Sequence, residues 1–107
     1  MTTIRNEHDK TQLAARALNG LAASWEADAE RPDSAGLRSV YLADAAACRA
    51  AASTWETAGE KTALTMIRGW DTLPREDAMI ALVRGGALTA DEARLTETGR
   101  KLAGEPR

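Results

Sequence analysis

The chain has 107 residues and a formal charge of −2, and 44% of its residues are apolar. This length suits a single domain, residues 1–107, with a modest core. Basic and acidic side chains are nearly balanced in each third of the chain. This balance lowers the expectation of a nucleic-acid binder, because such proteins cluster Lys and Arg.

Three features of the sequence bear on its location. Cys48 is the only cysteine, so no intramolecular disulfide can form, and a reducing compartment is favoured. The N-terminus lacks the apolar run of a signal peptide, and no stretch approaches the ~18 apolar residues of a membrane span. We therefore expect a cytoplasmic protein. Frequent Arg, Ala and Gly predict a high-GC bacterial or phage origin.

The first predicted helix covers residues 10–30. Its apolar side chains recur at steps of four, three and four, which is the spacing of one helical face. Residues 31–36 form a turn, since Pro32 disfavours helical geometry at Arg31. A connection this short between two amphipathic helices predicts an antiparallel hairpin. The stripe consists of Ala14, Leu18, Leu21 and Trp25.

The second arm of this hairpin is predicted from residues 37–69, which contain no proline. Its stripe continues past Gly59, which favours one long helix with a kink there; the alternative is a separate helix over residues 60–68. The part from Gly59 to Trp70 would then extend beyond the first helix. The C-terminal unit, a second subunit or another protein would have to cover it. The stripe of this arm consists of Tyr41, Ala45, Cys48, Ala52 and Trp55.

A break at residues 69–74 separates the hairpin from a C-terminal unit over residues 71–107. A helix is predicted over residues 74–84, ended by Gly85 and Gly86. Residues 87–103 allow two interpretations. Thr89 and Glu92 can form a capping box that starts a helix, or residues 87–95 can form a small β-hairpin followed by a helix. The predicted fold is therefore all-α: a long antiparallel helical hairpin over residues 10–70 with a short C-terminal helical unit.

The string LTETGRKLA at residues 95–103 resembles the end of many winged-helix DNA-binding domains, where a wing strand leads into a closing helix. The resemblance implies a DNA-binding transcriptional regulator that uses residues 74–103. The chain departs from that family in having one short helix ahead of the wing, and this helix carries Glu76 and Asp77. The phosphate contacts implied by this alternative are Arg84, Arg94, Arg100 and Lys101.

The sequence contains no pattern typical of a catalytic, cofactor or metal site. His8 is the only histidine, and one distant cysteine cannot complete a zinc site of the usual spacing. Cys48 lies on the apolar stripe without a basic neighbour on its face, which predicts a buried thiol rather than a nucleophile. No phosphate-binding glycine loop is present. We therefore expect a protein that is not an enzyme and needs no cofactor.

The first functional hypothesis is a small protein–protein interaction module: an adaptor, a regulator or an inhibitor. Its partner would be another protein or a second copy of the chain in a homodimer. Trp70 lies in a turn, where it either covers the end of the hairpin or serves as an interface anchor. The residues predicted to contact a partner are Trp55, Met66 and Trp70.

Overall fold

The computed structural model describes residues 7–70 and 72–93, and these residues form helices and no strand. This confirms the predicted all-α class. The α-helices are joined by turns and by one 3₁₀ helix at the hairpin turn. In chain order they are α1 (Glu7–Ala29), the 3₁₀ helix (Pro32–Leu37), α2 (Arg38–Ala58), α3 (Glu60–Arg68), α4 (Thr72–Arg84) and α5 (Ala90–Ala93).

Helices α1 and α2 form the predicted hairpin and share the most extensive helix–helix contact among the described residues. The Arg49 guanidinium donates to both carboxylate oxygens of Glu26, at 2.9 and 2.6 Å, which ties the outer edges of the two helices together. Small side chains let the two backbones approach closely, because little volume separates them. The buried residues on the facing sides include Ala14, Leu18, Ala22, Ala45, Cys48 and Ala52.

Gly59 separates α2 from α3, so the prediction of a continuous kinked helix is wrong and the alternative is right. Its φ of 98° and ψ of 173° fall in a region that is open almost only to glycine. The Gly59 N–H donates to the carbonyls of Thr54 and Trp55 and ends α2, and its own carbonyl accepts from Ala63 at 3.1 Å and starts α3.

The break at Gly59 redirects α3 onto the rest of the protein. Its buried residues join the same hydrophobic cluster as Trp55 and α4, and Trp70 packs at the edge of that cluster. The segment that was expected to extend beyond α1 is therefore covered within the chain itself. The buried residues of α3 are Ala63, Leu64 and Ile67.

Two local motifs shape the C-terminal unit. After α4, Gly86 adopts a φ of 83°, its N–H donates to Val83 O at 3.0 Å, and the Ala87 N–H donates to Leu82 O at 2.9 Å, which is a Schellman motif. The Thr89 N–H then donates to Glu92 Oε1 at 2.8 Å, and the Glu92 N–H donates to Thr89 Oγ1 at 3.1 Å. This confirms the predicted capping box at the start of α5.

The prediction of a small β-hairpin at residues 87–95 can be compared with the structure only in part. Residues 87–93 contain bends and the start of α5 and no strand. Residues 94 and 95 lie outside the described residues, as does the predicted helix that follows them. Lys10 links this end of the molecule to the hairpin through ion pairs of 2.8 Å to Glu60 and 3.5 Å to Glu92.

Candidate functional site

An open groove of about 400 Å³ lies between α1 and α4. Each wall is formed by one helix, and its residues lie three, four, seven or eight positions from the first of them, so they share one helical face. The α1 wall shares Leu21 and Trp25 with the predicted stripe and adds Ala17 and Ser24 beside it. The lining residues are Ala17, Leu21, Ser24 and Trp25 from α1, and Asp77, Ile80, Ala81 and Arg84 from α4.

The two helices lie close together at one end of the groove, next to Gly85. A Cβ atom at Gly85 would lie 3.0 Å from the Ala17 Cβ and 3.2 Å from the Ala81 carbonyl oxygen. From this contact the groove continues toward Trp25 on α1 and toward Asp77 on α4, so the helices run antiparallel. Trp25 lies eight positions after Ala17, and Asp77 lies eight positions before Gly85. Eight positions correspond to a rise of about 12 Å along a helix.

Helix α4 is held on the core by a face adjacent to the groove. Ala78, Met79 and Leu82 on that face are at most 4% exposed, which fixes the rotation of the helix about its axis. This rotation leaves Asp77, Ile80, Ala81 and Arg84 along the groove rather than in the core. Trp25 is 8% exposed, so only a small part of its indole reaches the groove.

Asp77 supplies the acidic end of the groove. It is half-buried, and within residues 7–70 and 72–93 its carboxylate forms no hydrogen bond or ion pair. Burial raises the pKa of this carboxyl above its usual range, and the negative charge of Glu76 adds to the effect. The groove therefore holds a carboxylate whose charge no cation among these residues compensates.

Arg84 lies two helical turns from Asp77 and lines the same groove, so the groove carries an acidic and a basic group about 10 Å apart along α4. Arg84 is also one of the residues implied by the winged-helix resemblance. The other three, Arg94, Arg100 and Lys101, lie outside the described residues. DNA binding therefore stays a prediction from the sequence.

The three residues predicted to contact a partner lie in different environments. Trp55 is 1% exposed and is the largest fully buried side chain among the described residues, so it offers no surface to a partner in this structure. Met66 is 36% exposed on α3. Trp70 is half-buried after α3, against the core, as expected for a ring that covers the hairpin end. A partner contact at Met66 and Trp70 stays a prediction.

Cys48 is buried, and its surroundings disfavour the thiolate. Burial raises the pKa of the Cys48 thiol to about 12, with smaller contributions from the carboxylates of Asp44 and Asp77. A nucleophilic cysteine needs a lowered pKa, which is the opposite shift. Within the described ranges, no group of three or more His, Cys, Asp or Glu side chains is arranged to hold a metal ion.

No protein-family model matches the chain, and no curated protein and no solved structure shows significant similarity to it. In the part of the chain that the structure describes, the helices are too short or too polar for a membrane span.

Proposed function

We propose that this protein is a small non-enzymatic interaction module, an adaptor, regulator or inhibitor, that binds a helical segment of a partner in the groove between α1 and α4. The observation that carries the proposal is the groove, with apolar side chains along both walls and opposite charges near its ends. Apolar contacts would supply affinity, and the Asp77 carboxylate near one end would favour one orientation of the partner.

The open shape of the groove suits a helix better than a small molecule. Small-molecule sites usually enclose about 70–90% of the ligand surface, whereas an open groove between two helices covers one side. An amphipathic helix has one apolar side to bury and a polar side that can remain in water, and binding in a groove is a recurrent way of recognising it. The partner helix would pack against α1 and α4 at the same time.

The partner can be another protein or a second copy of this chain, and Ser24 allows either to be tested. Ser24 is exposed and lines the groove, so Ser24→Tyr places a bulky ring in the binding path without altering the core. Ser53 is an exposed serine on α2 outside the groove, and Ser53→Tyr is the matched control.

The experiment captures partners from the native host with the wild-type chain and the two variants. We expect Ser53→Tyr to retain the wild-type partner and Ser24→Tyr to bind it at least about tenfold more weakly, which removes about 90% of the captured partner at concentrations well below Kd. If the partner is a second copy, sedimentation should show a dimer for wild type and Ser53→Tyr and a monomer for Ser24→Tyr. Equal capture or equal dimerisation by all three proteins would overturn the proposal.

A further inference from the structure

We propose that the partner segment carries a Lys or Arg side chain that enters the groove and pairs with the Asp77 carboxylate, its aliphatic stem lying along the apolar side chains of Leu21, Trp25 and Ile80. This inference rests on the proposed function and names the chemistry that the same groove would recognise.

Three other described carboxylates pair with a basic side chain of another helix. Glu26 forms a two-point ion pair with Arg49, and Glu60 and Glu92 both pair with Lys10. Asp77 is half-buried between α1 and α4, yet it lacks such a partner among the described residues. Within the described residues, Asp77 is therefore an inter-helix carboxylate available for a cation from outside.

Docking of a partner would make the unpaired charge more costly. A helix laid over the groove removes water from Asp77, and a buried carboxylate without a counter-charge is strongly unfavourable. A partner that brings a cation offsets this cost, while an uncharged partner leaves it in place. Asp77 would thus select for basic partners and also reject neutral ones.

The apolar neighbours of Asp77 favour Lys or Arg over a small cation. Leu21 and Ile80 are half-buried apolar side chains of the two walls, and part of the Trp25 indole is exposed there as well. The methylene stem of Lys or Arg can cover such side chains while its charged head reaches the carboxylate. A hydrated metal ion or ammonium would gain nothing from these walls.

The test uses random twelve-residue peptides displayed on phage and selected against the full chain. Peptides whose binding is blocked by Ser24→Tyr are kept, because these bind in the groove. We expect them to carry a Lys or Arg flanked by apolar residues three or four positions away. Their affinity should fall about tenfold for Asp77→Asn, and less than about twofold for Glu76→Gln, which removes the same charge from the neighbouring exposed residue.

A double-mutant cycle isolates the pairing itself. Replacing the basic residue of a selected peptide by norleucine should weaken binding to the wild type about tenfold and leave binding to Asp77→Asn nearly unchanged. Circular dichroism confirms that Asp77→Asn is folded. Groove-binding peptides without a basic residue, with equal affinity for wild type and Asp77→Asn, would overturn this inference and leave the proposed function intact. A selection that yields no peptide blocked by Ser24→Tyr would contradict both.

Discussion

Helix α1 packs against two helices in two different ways. Toward α2 its side chains are mostly small and the interface is closed, with Leu18, Ala22 and Cys48 fully buried. Toward α4 the helices approach closely near Gly85, and the larger Leu21, Trp25 and Ile80 line an open groove. We expect the closed face to contribute most of the stability and the open face to bind the partner.

The largest expected loss of stability is on the closed face of the molecule. Trp55→Ala removes the largest fully buried side chain and should lower the free energy of unfolding by about 3–5 kcal/mol. Denaturant unfolding measures this loss. Met66→Ala, at a residue that is 36% exposed, is the control and should cost less than about 1 kcal/mol. Equal losses would contradict the assignment of Trp55 to the core.

An intermediate loss of stability is expected at the end of the groove next to Gly85. Gly85→Ala places a Cβ 3.0 Å from the Ala17 Cβ, and since neither atom can rotate away, α4 must shift. We expect a loss of about 1–3 kcal/mol in denaturant unfolding. Gly20→Ala is the matched control, because a Cβ at residue 20 meets nothing within 4 Å. This substitution should raise the free energy of unfolding by at most about 1 kcal/mol.

A second substitution checks the mechanism of the Gly85 effect. If the Ala17 methyl group is the obstacle, Ala17→Gly should restore part of the stability that Gly85→Ala loses. The coupling between the two sites in a double-mutant cycle measures this recovery. Additive losses would show that the close contact is not responsible.

The smallest effect concerns Asp77 and depends on pH. Its pKa is raised in the folded state by burial and then by Glu76, so the folded chain holds this proton more tightly than the unfolded chain. Its contribution to stability therefore falls as pH rises from about 4, the ordinary carboxyl range, through the raised pKa. Asp77→Asn removes this penalty.

Thermal unfolding at two pH values measures the effect of Asp77→Asn. At pH 7 the variant should be more stable than wild type by less than about 1 kcal/mol, because the carboxylate keeps contact with water. Near pH 3, where Asp77 is protonated, the difference should vanish. Glu76→Gln controls for the loss of one negative charge. A variant that is less stable than wild type at pH 7 would indicate a partner for Asp77 within the chain.

Features that depend on neighbours in sequence could be predicted well. The apolar steps of α1 and α2 identified the hairpin, and the spacing of Thr89 and Glu92 identified the capping box, since both patterns are local. The local sequence could not decide whether Gly59 lies inside one helix or separates two. A glycine tolerated inside a helix and a glycine that ends one look alike in sequence, and here the burial of Ala63, Leu64 and Ile67 favours the break.

The groove could not be predicted because it depends on how α4 rotates onto α1. The sequence predicted the α4 helix, but it distinguished Asp77 in no way from Glu76, the acidic residue next to it. Its position beside Leu21 and Trp25 follows from contacts between residues more than fifty positions apart. The available signal was a carboxylate on the edge of an apolar stripe, and many solvent-exposed residues share that pattern.

Backbone amide shifts of the labelled chain, recorded by NMR while the captured partner or a groove-selected peptide is added, test the proposed binding surface most directly. We predict that the largest shift changes fall on residues 17–25 of α1 and 77–84 of α4, with little change on the outer face of α2. Shift changes centred on Met66 and Trp70, with the groove unaffected, would contradict the groove and support the surface predicted from the sequence.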